Sequence, residues 1–486
     1  MKKILLFIGL VVISVCAEAQ DATITYQSSH KDNHFGWAIT GNGYLCCISD
    51  PRDSITGYAN GCVNIYKKIG ESWEYIQTLR NKEQLPYDYF GYALSMHEDM
   101  LAVSAIGDND KGFMSGGVYI YKFKSDSMSL TQTIFPPENM KKGYFGKAVK
   151  ICKDYLVVGA PGVNSKGCIY LYSLSGDTFQ YKARISPADL PAQADFGASI
   201  DYYNDTVFVG APKGGDNEYR QGMVYIYART ADNLIQVQTV SAGINNYGSL
   251  FGYAVSAWKN KLLVSAPHAF ISGNETFYFS GKAFLFEKTG SNWGIKDTIT
   301  DTEPSSHDLF GSAVSVRDSL MVISEPRNDD LKEDGGKIFV YKYNEGKWQP
   351  NIYLINPVNG ESYFGNSLFV DNNTMMVGVS GNKTNKSEGT VYYYIINENP
   401  ESIRDNLPEK ISIYPNPVSD KLTVEITGTG KYQYKMFDPL GRLAFSGNLR
   451  NGKNTIPVSG LVSGIYMLSV SDEKNCYTAK IEINQF

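Results

Sequence analysis

The chain has 486 residues, 20% of them charged, and a formal net charge of −5. That length allows more than one domain and a large core, and the charge balance, with no basic cluster, speaks against a nucleic-acid partner. Aromatic residues reach 13%, led by 35 Tyr, a composition that fits the pleated surfaces of an all-β protein.

The first segment reads as an export signal. Lys2 and Lys3 precede an apolar run from Ile4 to Val15, and Ala17-Glu18-Ala19 follows the small-x-small cleavage pattern. A signal peptide over 1–19 is expected, cut between Ala19 and Gln20. Cys16 offers a rival reading as a lipid acceptor, but Val15 stands before it where a small residue is needed. No later stretch approaches ~20 apolar residues, so no transmembrane helix is expected.

A repeat follows. Phe-Gly recurs at Phe35, Phe90, Phe145, Phe196, Phe251, Phe310 and Phe364, at steps of 51 to 59 residues. Three residues after each Phe stands Ala or Ser, and fourteen after it Gly or Ser. Five copies then carry Pro: Pro51, Pro161, Pro212, Pro267 and Pro326. A variable loop, a Gly and a β-rich run such as "VYIY" complete the pattern. Six copies add a bulky apolar residue beyond that run: Trp73, Met128, Phe179, Leu234, Trp293 and Trp348. The period is that of a propeller repeat.

Each copy predicts four short strands. Tight turns such as Lys153-Asp154, Asn204-Asp205 and Asn372-Asn373 join the first two, since polar pairs tolerate positive φ. Pro ends the second strand because it cannot donate to a ladder. The middle strands are apolar almost without break, as strands covered on both faces are. The Phe of each step is expected between blades, and its Gly where inner strands crowd the axis. The seventh copy lacks a fourth strand: Glu401 falls where a bulky residue should be. The segment Ala22–Ser29 is expected to supply that strand and close the ring, which removes an exposed edge.

Six Cys lie beyond the signal, without metal spacing. Cys62 and Cys168 share one slot of the repeat and read as small core side chains. A bond from Cys62 to Cys46 or Cys47 is compatible with an oxidising compartment.

Residues 396–410, polar and with two Pro, read as a linker, and 411–486 as a β-sandwich of about 75 residues, a workable domain size. The domains are therefore 1–19, 20–395, 396–410 and 411–486.

The ladder resembles FG-GAP repeats, the β-propeller repeats related to those of integrin α-subunit heads. The resemblance implies a seven-bladed propeller used for extracellular binding and adhesion. Integrin-type repeats often carry an Asp/Asn-rich calcium loop between the first two strands. Here that connection is a tight turn, so no cofactor is expected, and "GDNDKG" from Gly107 reads as a solvated loop rather than a calcium site. The segments "YPNPVSD" from Tyr414, "DPLGRL" from Asp438, "NTIPVSGLVSGIYMLSV" from Asn454 and "TAKIEI" resemble the type A sorting domain of the type IX secretion system. That implies the type IX machinery as a partner, and passage through the periplasm to the outer cell surface or medium.

No GxSxG elbow, P-loop or HExxH occurs, and the five His fall in different copies without a shared slot. The long loops follow second strands and would share one face of a propeller. Function tends to sit on variable loops carried by a rigid scaffold. Arg52, Asp108, Asp110, Arg220, His268, Arg327, Asp329 and Asp330 are the candidate ligand contacts there. The leading expectation is a non-catalytic module binding an extracellular glycan or protein. The alternatives are a hydrolase of polysaccharide or peptide using loop carboxylates, and a structural part of a surface layer.

Overall fold

A computed structural model describes residues 20–25, 34–54, 58–70, 72–83, 85–215, 220–243, 248–272, 276–329, 333–344, 346–356, 363–371, 374–380, 389–396, 411–427, 431–437, 443–471 and 476–484. The signal segment 1–19, residues 26–29 of the expected closing strand, the turn Asn372-Asn373, residues 397–410 of the expected linker and Asp330 lie outside them. The protein is all-β: a seven-bladed propeller followed by a small immunoglobulin-like sandwich. Among the described residues no helix is long and apolar enough to cross a membrane.

Blade 1 is built from Ile39–Gly41, Leu45–Asp50, Cys62–Ile69 and Ser72–Leu79, and blades 2 to 6 repeat that antiparallel order along the chain. In blade 7 the strands Phe364–Asp371, Thr374–Val379 and Thr390–Ile395 are completed by Gln20–Thr25. This outer strand runs antiparallel to its neighbour, with Thr25 opposite Thr390 and Ile24 opposite Val391. It starts two residues before Ala22, where the alternating pattern had suggested it would begin.

Burial follows position within the blade. The second strands are buried along almost their whole length, as in Leu45–Asp50 and Tyr155–Ala160. Outer strands are more open: Thr178–Ile185 exposes half of its residues and buries only Phe179. In blades 2 to 6 the short turns between first and second strands take positive φ at their first residue, Lys153 and Asn204 among them.

All seven ladder Phe side chains are fully buried. Phe35, Phe90, Phe145, Phe196, Phe251 and Phe364 stand edge-on to aromatic residues of their own third strand, as Phe90 does on Tyr119 and Tyr121, Phe196 on Tyr225 and Tyr227, and Phe251 on Phe284 and Phe286. Edge-to-face geometry suits the ring quadrupole and adds to the burial, which for one Phe is worth roughly 2–3 kcal/mol. The ladder glycines have φ between +88° and +95°. Their crowding is against the neighbouring blade, not at the axis as expected from the sequence. A Cβ on Gly91 would approach Ser49 and Cys62 of blade 1.

Other repeat positions join blades. The Gly opening each third strand meets the Phe of the next copy; Gly222 bridges to Phe251 and Gly281 to Phe310. With φ of +97° at Gly222, a Cβ there would overlap the Phe251 carbonyl. Outer strands interlock through glutamines. Gln77, Gln132 and Gln238 each donate to and accept from the backbone of Met128, Phe179 and Trp293 in the following blade. The alternation of Ala and Ser also has a reason. Where the fourteenth position is Ser, its hydroxyl accepts the N–H of the third, as Ser104 does from Ala93 at 2.9 Å. In blades 4 and 7, where it is Gly, the third position is Ser and donates to the next blade, Ser199 to Gly252 O and Ser367 to Gly36 O; blade 3 has Ala148 with Gly159 and lacks both bonds of this kind.

The cysteine bond does not form. Cys46, Cys47, Cys62, Cys152 and Cys168 are free and buried. Cys62 stands opposite Asp50, several residues from Cys46 and Cys47, which face Tyr66 and Ile65 in the ladder. Cys46 packs instead on Met376 of blade 7, at 3.1 Å between sulfurs.

The sandwich pairs a three-stranded sheet, Ile411–Tyr414, Lys421–Ile426 and Gly452–Pro457, with a four-stranded one, Leu443–Leu449, Tyr432–Phe437, Gly464–Ser471 and Cys476–Ile483. Leu422, Val424, Met436, Leu468 and Ile481 form its core. The "YPNP" segment is stitched to the final strand: Glu482 N donates to Asn416 Oδ1, and Val418 N to Glu482 O, both at 2.7 Å.

Candidate functional site: the long-loop face

The loops after the second strands are not loose. In blades 1 to 6 their described residues are tied by backbone hydrogen bonds to the segment entering the next blade. Tyr87 N donates to Tyr58 O, Tyr89 N to Ala59 O, Lys142 N to Phe113 O, His307 N to Tyr278 O and Tyr363 N to Asp334 O. The residue before the ladder Phe is left-handed in six copies, including Tyr89, Leu250 and Tyr363. That conformation costs non-Gly residues energy and persists only where surrounding structure fixes it. Among the described residues the face is thus a platform of loops paired across blade boundaries.

Seven of the eight residues singled out from sequence are described, and they fall in four places; Asp330 lies outside the described residues. Arg52 is exposed on the first loop, its backbone N–H held by Asp50 Oδ1. Asp108 is buried; its Oδ2 accepts the Tyr119 hydroxyl at 2.7 Å and its Oδ1 the Asp110 N–H at 2.9 Å. Burial pushes the Asp108 carboxyl up, and Asp110, exposed beside it, adds to that. Arg220 donates to Gln193 at 2.8 Å. His268 and Arg327 come together: burial depresses the His268 imidazole, and the charges of Arg327 and His307 depress it further. The His268 ring meets Phe279 at 4.9 Å, and Phe279 meets His307 at 5.4 Å. Arg327 lies over Tyr363 at 5.7 Å and near Asp334. Asp329 is exposed and accepts the Asp334 N–H. Among the described residues no group of three or more His, Cys, Asp or Glu has a metal-holding arrangement.

Sequence reasoning chose charged residues and passed over the aromatic ones. Tyr58 is 73% and Tyr87 53% exposed, and their rings lie parallel at 6.2 Å. Phe113 and Tyr278 are exposed on their loops as well. Nothing in the sequence separates these four from the other loop aromatics, such as Phe270 and Phe279, because exposure is not legible there. Two residues beyond the ladder Phe, Trp37, Tyr92 and Lys147 form a second aromatic group. Lys147 hydrogen-bonds the Tyr92 hydroxyl, and Trp37 packs on Tyr92 at 5.5 Å.

The family comparisons divide the chain as the geometry does. Residues 73–121, 179–227 and 293–341 match the model of the FG-GAP repeat. Residues 412–484 match that of the secretion system C-terminal sorting domain. The chain carries FG-GAP repeats and a sorting tail. Each matched repeat opens at the bulky outer-strand residue, Trp73, Phe179 or Trp293, and ends in the third strand of the next blade. The tail marks the protein for type IX secretion to the cell surface or the extracellular space. No curated protein matches the chain. Solved structures similar to it include candidate 6-phosphogluconolactonases of Bacteroides fragilis and Bacteroides uniformis. The first is 10% identical with a TM-score of 0.45, covering 68% of this chain and 96% of its own. The second is 9% identical with a TM-score of 0.44, covering 65% and 83%.

Proposed function

We propose that the propeller is a non-catalytic binding module, delivered outside the cell by its tail and engaging a glycan or protein through the long-loop face. The observation that carries this reading is the parallel Tyr58–Tyr87 pair, exposed to solvent on backbones that are hydrogen-bonded to each other. Tyrosine offers a broad, stiff contact surface with few rotors to freeze, which is why it is enriched at recognition surfaces. Arg52, on the loop that carries Tyr58, adds charge. The FG-GAP resemblance supports the same reading by analogy alone.

The test is a glycan and protein array probed with the mature propeller, then with Tyr58→Ser/Tyr87→Ser. Binding that falls at least tenfold in the double variant, at unchanged melting temperature, supports the proposal. Full binding by the double variant, or turnover of a bound substrate, overturns it.

A further inference from the structure

A second site lies on the axis, facing away from the long loops. Five residues after each ladder Phe stand Thr40, Ser95, Lys150, Asp201, Ser256, Ser315 and Phe369. Several of these bind the next blade: Thr40 accepts Met96 N, Ser95 accepts Ile151 N, Asp201 accepts Ala257 N and Ser256 accepts Val316 N, at 2.7 to 3.2 Å. Around them is a cavity of about 560 Å³ to which all seven inner strands contribute. Its lining begins four residues beyond the ladder Phe and runs out to the short turns at Asn42, Glu98 and Asn204. The side chains two residues beyond the Phe, Trp37, Tyr92 and Lys147 among them, are not part of it. The cavity is therefore a well that opens among the short turns.

Its chemistry is specific. Lys150 pairs with Asp201 at 2.7 Å, and Arg317 with Asp371 at 3.0 Å, two cations against two carboxylates. One wall is aromatic: the Arg317 guanidinium lies over Trp258 at 4.7 Å, and Tyr203 meets Trp258 at 5.3 Å. Ser315 adds to the polar lining, and Asn42, His97, Glu98 and Asn204 line it toward the short turns. Between the two pairs, in the body of the well, a charged ligand would have to break one of them and leave its partner uncompensated. A large apolar one would strand the polar lining. An uncharged molecule rich in hydroxyls, with a C–H face for the indole, satisfies both walls. The volume lies within the ~300–1,000 Å³ usual for small-molecule sites.

We propose that this well binds a neutral saccharide, held between the Trp258 wall and the Lys150–Asp201 and Arg317–Asp371 pairs. The proposal goes beyond the long-loop reading and stands without it, because the two sites share no residue.

The test uses the mature full chain with glucose, galactose, mannose and N-acetylglucosamine, and with glucuronic acid and glucosamine as charged counterparts. Binding is read by saturation-transfer NMR and calorimetry. Ser315→Phe fills the well, Trp258→Ala removes its wall, and Tyr58→Ser/Tyr87→Ser leaves it intact. The expected result is saturable binding of at least one neutral sugar. It should weaken tenfold or more in Trp258→Ala and in whichever well variant keeps the parent melting temperature, and stay unchanged in the tyrosine double variant. The proposal is overturned if no neutral sugar saturates, if a charged counterpart binds tighter than its neutral parent, or if folded Trp258→Ala binds like the parent.

Discussion

The carbonyl of Phe35 lies so close to Gly389 that a Cβ on that glycine would overlap it. This is the contact that Gly222 makes with Phe251 and Gly281 with Phe310. Here it joins the last blade to the first. With the Gln20–Thr25 strand on blade 7, it gives the two ends of the repeat array the same junction as every internal pair. Deleting residues 21–29 uncovers a sheet edge and removes the buried Ile24. The melting temperature should fall by more than ~5 °C, the effect of a few kcal/mol in a domain this large. An unchanged melt by calorimetry would sink the closure argument.

The ladder Phe and the junction Gly should be comparably sensitive. Phe196→Ala empties a fully buried site between blades 3 and 4 and should cost roughly 3–5 kcal/mol in urea unfolding. Gly222→Ala meets both positive φ and the Phe251 backbone, so it should cost several kcal/mol, among the larger effects of single substitutions. Gly290→Ala is the control: its φ is also positive, but nothing stands within 4 Å, and a loss near ~1 kcal/mol is expected. Equal losses for the two glycines would show that the junction contact is not what matters.

Asp50 makes stability depend on pH. It is fully buried, and burial, with Asp53 close by, raises its carboxyl from 3.8 to about 7. The folded state therefore keeps a proton that the unfolded chain releases above about pH 4. By linkage, stability should fall as pH rises from about 4 to about 7, by an amount on the order of a few kcal/mol. Asp88, raised to about 7 by burial and by Asp108, acts in the same sense. Asp50→Asn retains an oxygen to accept His34 N and Arg52 N, so it should flatten part of this slope and stabilise at pH 8. Unfolding free energies that rise between pH 4 and 7 in the parent, with no change in the variant, would contradict the assignment.

The sorting tail has a cellular test. Removing residues 411–486 takes away the matched domain and the strand to which "YPNP" is stitched. The propeller should then accumulate in the periplasm, measured by fractionation. Unimpaired surface display of the truncated chain would refute the role of the tail.

The ladder was legible because its signals are local and repeat in register: Phe-Gly, the Pro corner and the turn pairs each act within one copy. Junctions were less so, since Gln132 and Phe179, or Ser199 and Gly252, are 47 and 53 residues apart. The Asp108 loop looked solvated, yet the side chain turns inward to Tyr119. Asp50 and Glu325 occupy a slot that is Ala in four copies, and a lone sequence gives no reason to suspect a buried carboxyl there. Burial drives the Glu325 acid upward as well. The axial well was hidden for a geometric reason, because each blade supplies only a few of its residues.

The outermost strand of blade 7 is the earliest described part of the chain, and Thr25 must wait for Thr390, 365 positions later (390 − 25). A polypeptide threaded across the inner membrane from its amino end cannot complete this ring progressively. Six blades can form while the first strand hangs unpaired, and the structure locks only once nearly the whole repeat array has emerged. A prematurely terminated molecule is left with a raw edge at each end, the kind of surface that invites pairing with other chains. Ring closure is thus the last step of propeller assembly, because it waits for the third strand of blade 7.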